Sequence, residues 1–354
     1  MSRFFSKKYE NLIPYTPGEQ PKDFKYIKLN TNESPYPPSE KAVSYAAAAA
    51  KTLNLYPDPQ CSETTKKLAD ILGVNADEVL LTNGSDEILN FAFMAFCDDK
   101  HPAVFPNITY GFYTVFADIN NVPYKEIPLK DDFTIDINDY TGINKTIFIA
   151  NPNAPTGIAL TRDEIEKIVK SNPYNVVVID EAYVDFGGQS AVSLIKKYDN
   201  LLVTQTFSKS RSMAGARLGF GVGCSSLIRD LNTVKYSTNP YNINKMTMAA
   251  ALGCLEDNDY TVKNCEEIKK TRAYTSDALK NLGFECLQSQ ANFVFAKHSK
   301  ISGKDIYVAL KENGILVRHF DKPEICDFNR ITIGTKTQME TLIKTLEKIL
   351  EEKA

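Results

Sequence analysis

Thr206-Phe207-Ser208-Lys209-Ser210-Arg211-Ser212-Met213-Ala214-Gly215-Ala216-Arg217-Leu218-Gly219 follows the apolar run Leu201-Leu202-Val203-Thr204, which reads as a buried strand. A lysine just past a buried strand is costly unless it has a partner or a task. One task fits: an amine that condenses with an aldehyde cofactor as a Schiff base. Thr206, Ser208 and Arg217 are then donors for that cofactor's phosphate. Gly215 and Gly219 permit close backbone approach. The plainer alternative is a surface turn carrying solvated lysines. Residues upstream decide between the two.

The run Val176-Val177-Val178-Ile179 is the most β-branched in the chain and predicts a central strand. Asp180-Glu181-Ala182-Tyr183 ends it. A carboxylate after four apolar residues needs a cation or several donors, and a protonated pyridine nitrogen meets that need. Tyr183 lies past the strand end, where it can reach the same ring. Asp180 and Lys209 close two predicted parallel strands joined by a link of helical length, so the two ends lie side by side. Thr146-Ile147-Phe148-Ile149-Ala150 is a third buried strand and runs into Asn151-Pro152-Asn153-Ala154-Pro155-Thr156-Gly157. Two prolines and a glycine fix that turn and aim Asn153 outward. Val79-Leu80-Leu81-Thr82, Asn83-Gly84-Ser85-Asp86-Glu87 and the apolar run from Ile88 to Phe96 read as strand, turn and helix. Such a turn presents free N–H groups to a phosphate, although Asp86 also reads as an ordinary N-cap. Tyr110 can stack on a planar ligand or sit in the core. Tyr56, held in Leu55-Tyr56-Pro57-Asp58-Pro59, projects to a fixed place or packs on its own domain.

Composition sets outer limits. A chain of 354 residues with 43% hydrophobic and 24% charged residues is that of a globular protein with a large core, divided into about two domains. A net charge of −3 with no basic run argues against a nucleic-acid surface. Residues 1–8 have no apolar core of signal-peptide length. No run is long enough to span a bilayer. Seven scattered cysteines with no Cys-x-x-Cys pair suit reduced thiols in the cytoplasm. His101, His298 and His319 lack metal-ligand spacing, so no metal is expected. Residues 1–30 read as an arm, 31–235 as a large domain and 236–354 as a smaller α+β domain. Ser39, Thr161-Arg162-Asp163-Glu164 and Thr337-Gln338-Met339-Glu340 read as helix starts. The Gly219-x-Gly-x-Gly223 strand is not a dinucleotide fingerprint, since no helix opens on it.

Asn153-Ala154-Pro155-Thr156-Gly157, Asp180-Glu181-Ala182-Tyr183 and Thr206-Phe207-Ser208-Lys209 with Arg217 together resemble the fold-type-I pyridoxal-phosphate aminotransferases. Asn32-Glu33-Ser34-Pro35, Tyr56-Pro57-Asp58, Gly84-Ser85-Asp86-Glu87, Val317-Arg318 and Arg330-Ile331-Thr332-Ile333-Gly334 point to the histidinol-phosphate branch. The likeness runs from about residue 10 to about residue 350. Ala154 and Ser34 stand where that branch often has asparagine. The resemblance implies an α/β large domain with a mostly parallel sheet flanked by helices, as in aspartate aminotransferase. It implies pyridoxal 5′-phosphate bound to Lys209, which also carries a proton in transamination. Asp180 would pair with the ring nitrogen, Asn153 and Tyr183 with the ring oxygen, and Tyr110 would stack on the ring. Gly84, Ser85, Asp86, Thr206, Ser208 and Arg217 would hold the phosphate, with Tyr56 from a second subunit of a homodimer. Arg330, with Arg318, Tyr15 and Asn153, would bind substrate. The implied reaction exchanges the amine of histidinol phosphate with 2-oxoglutarate. A threonine-phosphate decarboxylase, an aromatic aminotransferase and a catalytically silent cofactor-binding module are the alternatives.

Overall fold

The computed structural model describes residues 2–10, 12–16, 18–20 and 26–353. In chain order the strands are β1 (Ile27–Lys28), β2 (Val79–Thr82), β3 (Ala103–Pro106), β4 (Tyr124–Ile127), β5 (Thr146–Ala150), β6 (Val177–Asp180), β7 (Leu201–Thr206), β8 (Gly219–Gly223), β9 (Phe284–Cys286), β10 (Phe293–His298), β11 (Ile315–Leu316), β12 (Arg318–His319) and β13 (Phe328–Thr332). The α-helices are α1 (Glu40–Ala49), α2 (Ser62–Leu72), α3 (Ser85–Phe96), α4 (Phe112–Asn120), α5 (Arg162–Ser171), α6 (Ser225–Thr238), α7 (Lys245–Glu256), α8 (Asn258–Asn281), α9 (Gly303–Glu312) and α10 (Lys336–Lys353).

β2 to β8 form one seven-stranded sheet in the order β2-β8-β7-β6-β5-β3-β4. Only β8 runs against the others. The β-branched run read as central is the fourth strand of seven. Both sheet faces are covered, which is why these strands are apolar without alternation. Ile147, Ile149, Val177, Ile179, Leu201 and Val203 share one core with residues of α2, α5 and α7. Phe148, Val178 and Leu202 face the other way, into a core with residues of α3, α4 and α6. β8 can lie under α3 because it is glycine-spaced. A Cβ on Gly219 would stand 2.3 Å from the Ser85 nitrogen, and one on Gly221 2.5 Å from Ile88 Cδ1.

The link from β6 to β7 is long enough for a helix but contains no α-helix. It holds two 3-10 turns, Val184–Phe186 and Val192–Lys196. The Glu181 carboxylate organises it, accepting from Ala191 N at 2.6 Å, Ser190 Oγ at 2.7 Å and Gln205 Nε2 at 2.8 Å. Gly187, at φ 146°, breaks any longer helix.

The second core gathers residues of α8, α9, α10 and the antiparallel sheet β12-β13-β10-β9. The boundary expected at 235/236 falls inside α6. Ala251, Cys254 and Leu255 of α7 belong to the large core, whereas Cys265, Ile268 and Leu279 of α8 belong to the second. The end of the expected arm is part of that second domain: β1 pairs in parallel with β11, Ile27 opposite Ile315, and Leu29 lies in its core.

Ser39 caps α1, and Thr161 with Glu164 forms the expected capping box. At α10 the box stands two residues earlier than expected. Thr335 N donates to Gln338 Oε1 at 2.8 Å, and Gln338 N to Thr335 Oγ1 at 3.3 Å. Gly334 ends the extended segment there, so Thr335 is the first residue free to cap. Asp86 is not a cap either: Gly84 is, and Asp86 lies in the first turn of α3.

Candidate active site

The ends of β5, β6 and β7 open on one cavity of about 460 Å³. Asp180 is the last residue of β6. It accepts from the Tyr113 phenol at 3.1 Å and the Thr204 hydroxyl at 3.2 Å. Burial raises its pKa to about 6, against the pull of those two donors. Lys209 follows β7 and donates from Nζ to the Thr31 carbonyl at 3.1 Å. Burial lowers its pKa to about 8, Arg330 pushes it further down, and Glu33 opposes. Tyr183 lines the same cavity. Its phenol oxygen accepts from Asn32 Nδ2 at 3.0 Å, and its ring meets Phe293 edge-on.

At the opposite wall, Gly84 takes φ 78° and turns the chain into α3, so the first-turn N–H groups of Ser85 and Asp86 carry no side-chain cap. Arg217, itself at φ 55°, donates to the Asp86 carboxylate at 3.0 Å and to Ser208 Oγ at 3.4 Å. Thr206 Oγ1 donates to Ser208 Oγ at 3.0 Å. The Tyr110 phenol donates to Asp86 at 2.6 Å. This is a donor-rich cradle in which the Asp86 carboxylate offsets the charge of Arg217, and a Cβ on Gly219 would intrude into it. It fits a phosphate. With an amine in the middle and a buried carboxylate beyond, the three parts match the reactive atoms of pyridoxal phosphate.

A second cavity of about 410 Å³ shares Thr31, Tyr110, Ala154, Tyr183 and Lys209 with the first. Arg330 reaches it from β13. Its Nη2 donates to the Asn30 carbonyl at 3.1 Å, while the buried Nε has no partner. Its guanidinium lies 5.4 Å from the Phe293 ring centre. Arg318 and Tyr15 line this cavity too. Arg318 donates to the Thr16 carbonyl at 3.5 Å, and the Tyr15 ring stands 4.2 Å from that of Phe112.

Two expected site residues stand apart. Asn153 is buried just behind the wall, with its amide engaged by Thr109 at 2.8 Å, the Ile108 carbonyl at 2.9 Å and Thr156 at 3.1 Å. Tyr56 is 80% exposed and lines neither cavity. Its ring stacks on Tyr241 at 4.7 Å. The sequence reading missed Tyr113, Thr204, Thr31 and Asn32. Tyr113 lies one helical turn after Tyr110, and Thr204 two residues before Thr206 on the same strand face. Those spacings were the available signals.

The model of the family described as aminotransferase class I and II matches residues 25–346. The chain belongs to this family. The histidinol-phosphate aminotransferase of Brachyspira hyodysenteriae is 49% identical over 99% of this chain and 100% of its own length. That of Clostridium beijerinckii is 47% identical over 99% and 98%. The crystal structure of the Sinorhizobium meliloti histidinol-phosphate aminotransferase with pyridoxal-5′-phosphate superposes with a TM-score of 0.86 at 22% identity, covering 93% of this chain and 92% of that one. The latter likeness carries the fold.

Proposed function

We propose that this aminotransferase passes the amino group of histidinol phosphate to 2-oxoglutarate, with pyridoxal phosphate seated between Asp180 and the α3 cradle. When bound, that cofactor supplies an electron sink for the bond breaking at the substrate's Cα. Asp180 holds a proton on the cofactor's ring nitrogen, with Tyr113 and Thr204 keeping its carboxylate in place. Lys209 Nζ would take the proton from the substrate's Cα and pass it to the cofactor's C4′, the 1,3-shift that transamination requires. Its lowered pKa makes it a base far nearer neutrality than a free lysine. Tyr183 and Asn153 orient the ring, and Asn153 would release one of its present partners to do so. Ser85, Asp86, Thr206, Ser208 and Arg217 bind the phosphate.

The substrate assignment is carried by Arg330, a buried guanidinium with an unpartnered Nε beside the cavity that holds Lys209. Arg318 adds a second positive charge to the same space. Two guanidiniums suit a dianionic phosphate better than a single carboxylate. The names of the relatives at 47% and 49% identity agree with this reading. We place the enzyme in the cytoplasm, in histidine biosynthesis, as a homodimer. Leu53, Leu55, Tyr56 and Tyr241 are exposed and Tyr56 stacks on Tyr241; such apolar surface suits a second copy, and from it Tyr56 would reach the partner's phosphate.

The deciding experiment is a panel of amino donors assayed with and without 2-oxoglutarate. Histidinol phosphate should exceed histidinol, histidine and phenylalanine in kcat/KM, by roughly tenfold or more per lost charged contact. Phenylalanine or aspartate as the better donor would overturn the substrate. Carbon dioxide release from threonine phosphate without 2-oxoglutarate would overturn the reaction.

A further inference from the structure

Asn32 is buried where the two domains meet and takes a left-handed backbone, φ 56°. Every polar group on it is committed. Its N–H donates to Thr332 Oγ1 at 3.0 Å, and its carbonyl accepts from Asn292 Nδ2 at 3.0 Å. The Thr332 hydroxyl donates back to Asn32 Oδ1 at 3.0 Å. Threonine has one hydroxyl proton, and here it goes to the amide oxygen. The flipped amide would leave that buried hydroxyl proton without an acceptor among the described residues, whereas the phenol proton can turn to the cavity, so Nδ2 is the end that faces Tyr183. Nδ2 donates to the Tyr183 phenol oxygen at 3.0 Å. An amide NH₂ cannot accept, so the phenol's own proton is not used in this contact.

The phenol makes no other hydrogen bond among the described residues, and Tyr183 lines both cavities. Its neighbour therefore decides what the hydroxyl offers the cavity. With a donor behind it, the phenol presents its proton. With an acceptor behind it, the proton would turn away and a lone pair would face the anionic ring oxygen. We propose that Asn32 is a positioning residue that aims the Tyr183 proton into the cofactor cavity, and that Thr332 locks its amide in the one orientation able to do so. Thr332 stands two residues from Arg330 on β13, so the element that carries the proposed substrate arginine also sets the Tyr183 proton. This inference rests on the binding of pyridoxal phosphate proposed above.

Asn32→Gly removes the amide and accepts the left-handed φ without strain. Asn32→Asp is isosteric but puts acceptors where the donor was. A donor at the ring oxygen draws charge off it. Without that donor, the oxygen binds the adjacent cofactor proton more tightly. The pH midpoint of the bound cofactor's visible absorbance should therefore rise in both variants, in the direction of Tyr183→Phe, and more in Asn32→Asp than in Asn32→Gly. Cofactor Kd should weaken about two- to tenfold in Asn32→Gly, the range of one ordinary hydrogen bond. Asn32→Gly in a Tyr183→Phe background should add nothing further to the midpoint. Thr332→Val leaves Asn32 in place and should shift the midpoint the same way by less. It keeps the test open even if Asn32 variants fold poorly. A wild-type protein that takes up no pyridoxal phosphate would refute the cofactor reading itself. A coloured enzyme whose midpoint is unmoved in these variants, or moves additively with Tyr183→Phe, would overturn this inference alone.

Discussion

Lys209 and Asp180 show how burial turns ordinary side chains into reactive ones. Neither is paired with an opposite charge at hydrogen-bond distance; each meets neutral donors or acceptors instead. Both pKa values move toward neutrality, the lysine down to about 8 and the aspartate up to about 6. Lys209→Ala should lose turnover by several orders of magnitude and the borohydride-fixable chromophore with it; a yellow, fully active variant would remove this residue from the mechanism. For Asp180 the folded pKa lies above the unfolded one, so the folded state holds more protons between about pH 4 and pH 6. Its contribution to stability falls as pH rises through that window and is unfavourable above it. Cofactor-free Asp180→Asn should thus gain melting temperature relative to wild type as pH goes from 4 to 7, while activity collapses. A melting difference that is flat with pH would contradict the burial argument. Arg330→Ala should raise KM most for the phosphorylated donor, narrowing its lead over histidinol, as steady-state kinetics on both donors would show.

At the scale of elements, the β6–β7 crossover is held by one carboxylate rather than by a helix. Glu181 collects three donors from that link and from β7, and its pKa is pushed up to about 7 by burial. Glu181→Ala should cost about 3 kcal/mol, the effect of stranding buried donors, read as a lower denaturant midpoint with unchanged slope. Turnover at permissive temperature should survive, because Glu181 lines neither cavity. The sequence made the strands on either side easy to read, since unbroken β-branched runs such as Val176 to Ile179 have few other uses in a globular chain. It did not reveal the link, because Asp180-Glu181 looks like one acidic pair until the fold turns Asp180 toward the cavity and Glu181 toward the crossover. The α10 cap was misplaced for a similar reason: two Thr-x-x-Glu/Gln frames overlap, and only the end of the preceding extended segment selects Thr335.

For the whole molecule, the residues of the reactive centre could be named because each sits at a strand end or helix start with its own local signature. Their supports could not. Tyr113 reaches Asp180 across 67 residues of chain, Lys209 reaches Thr31 across 178, and Asn32 reaches Tyr183 across 151. No periodicity records such distances. Tyr56 extends the same point beyond one chain. If it serves a neighbouring site, mixing Tyr56→Phe with Lys209→Ala subunits should give heterodimers with one sound site and one doubly damaged site. Activity above that of either parent is the expected result. A fully active monomer in sedimentation would exclude it.

The pairing of β1 with β11 also fixes when the enzyme can begin to work. Residues 27–32 are made long before their partners, since Ile27 pairs with Ile315 and Asn32 bonds to Thr332, 300 residues further on. The strands of the large sheet are complete by Gly223, so that unit can condense while translation continues. The segment that touches Lys209 and Tyr183 must wait until Ile315 and Thr332 have been made. A nascent or prematurely ended chain would therefore carry the lysine, the aspartate and the phosphate cradle without the clamp that makes them an active site. Reactive-amine chemistry would stay unassembled until β11 and β13 are in place.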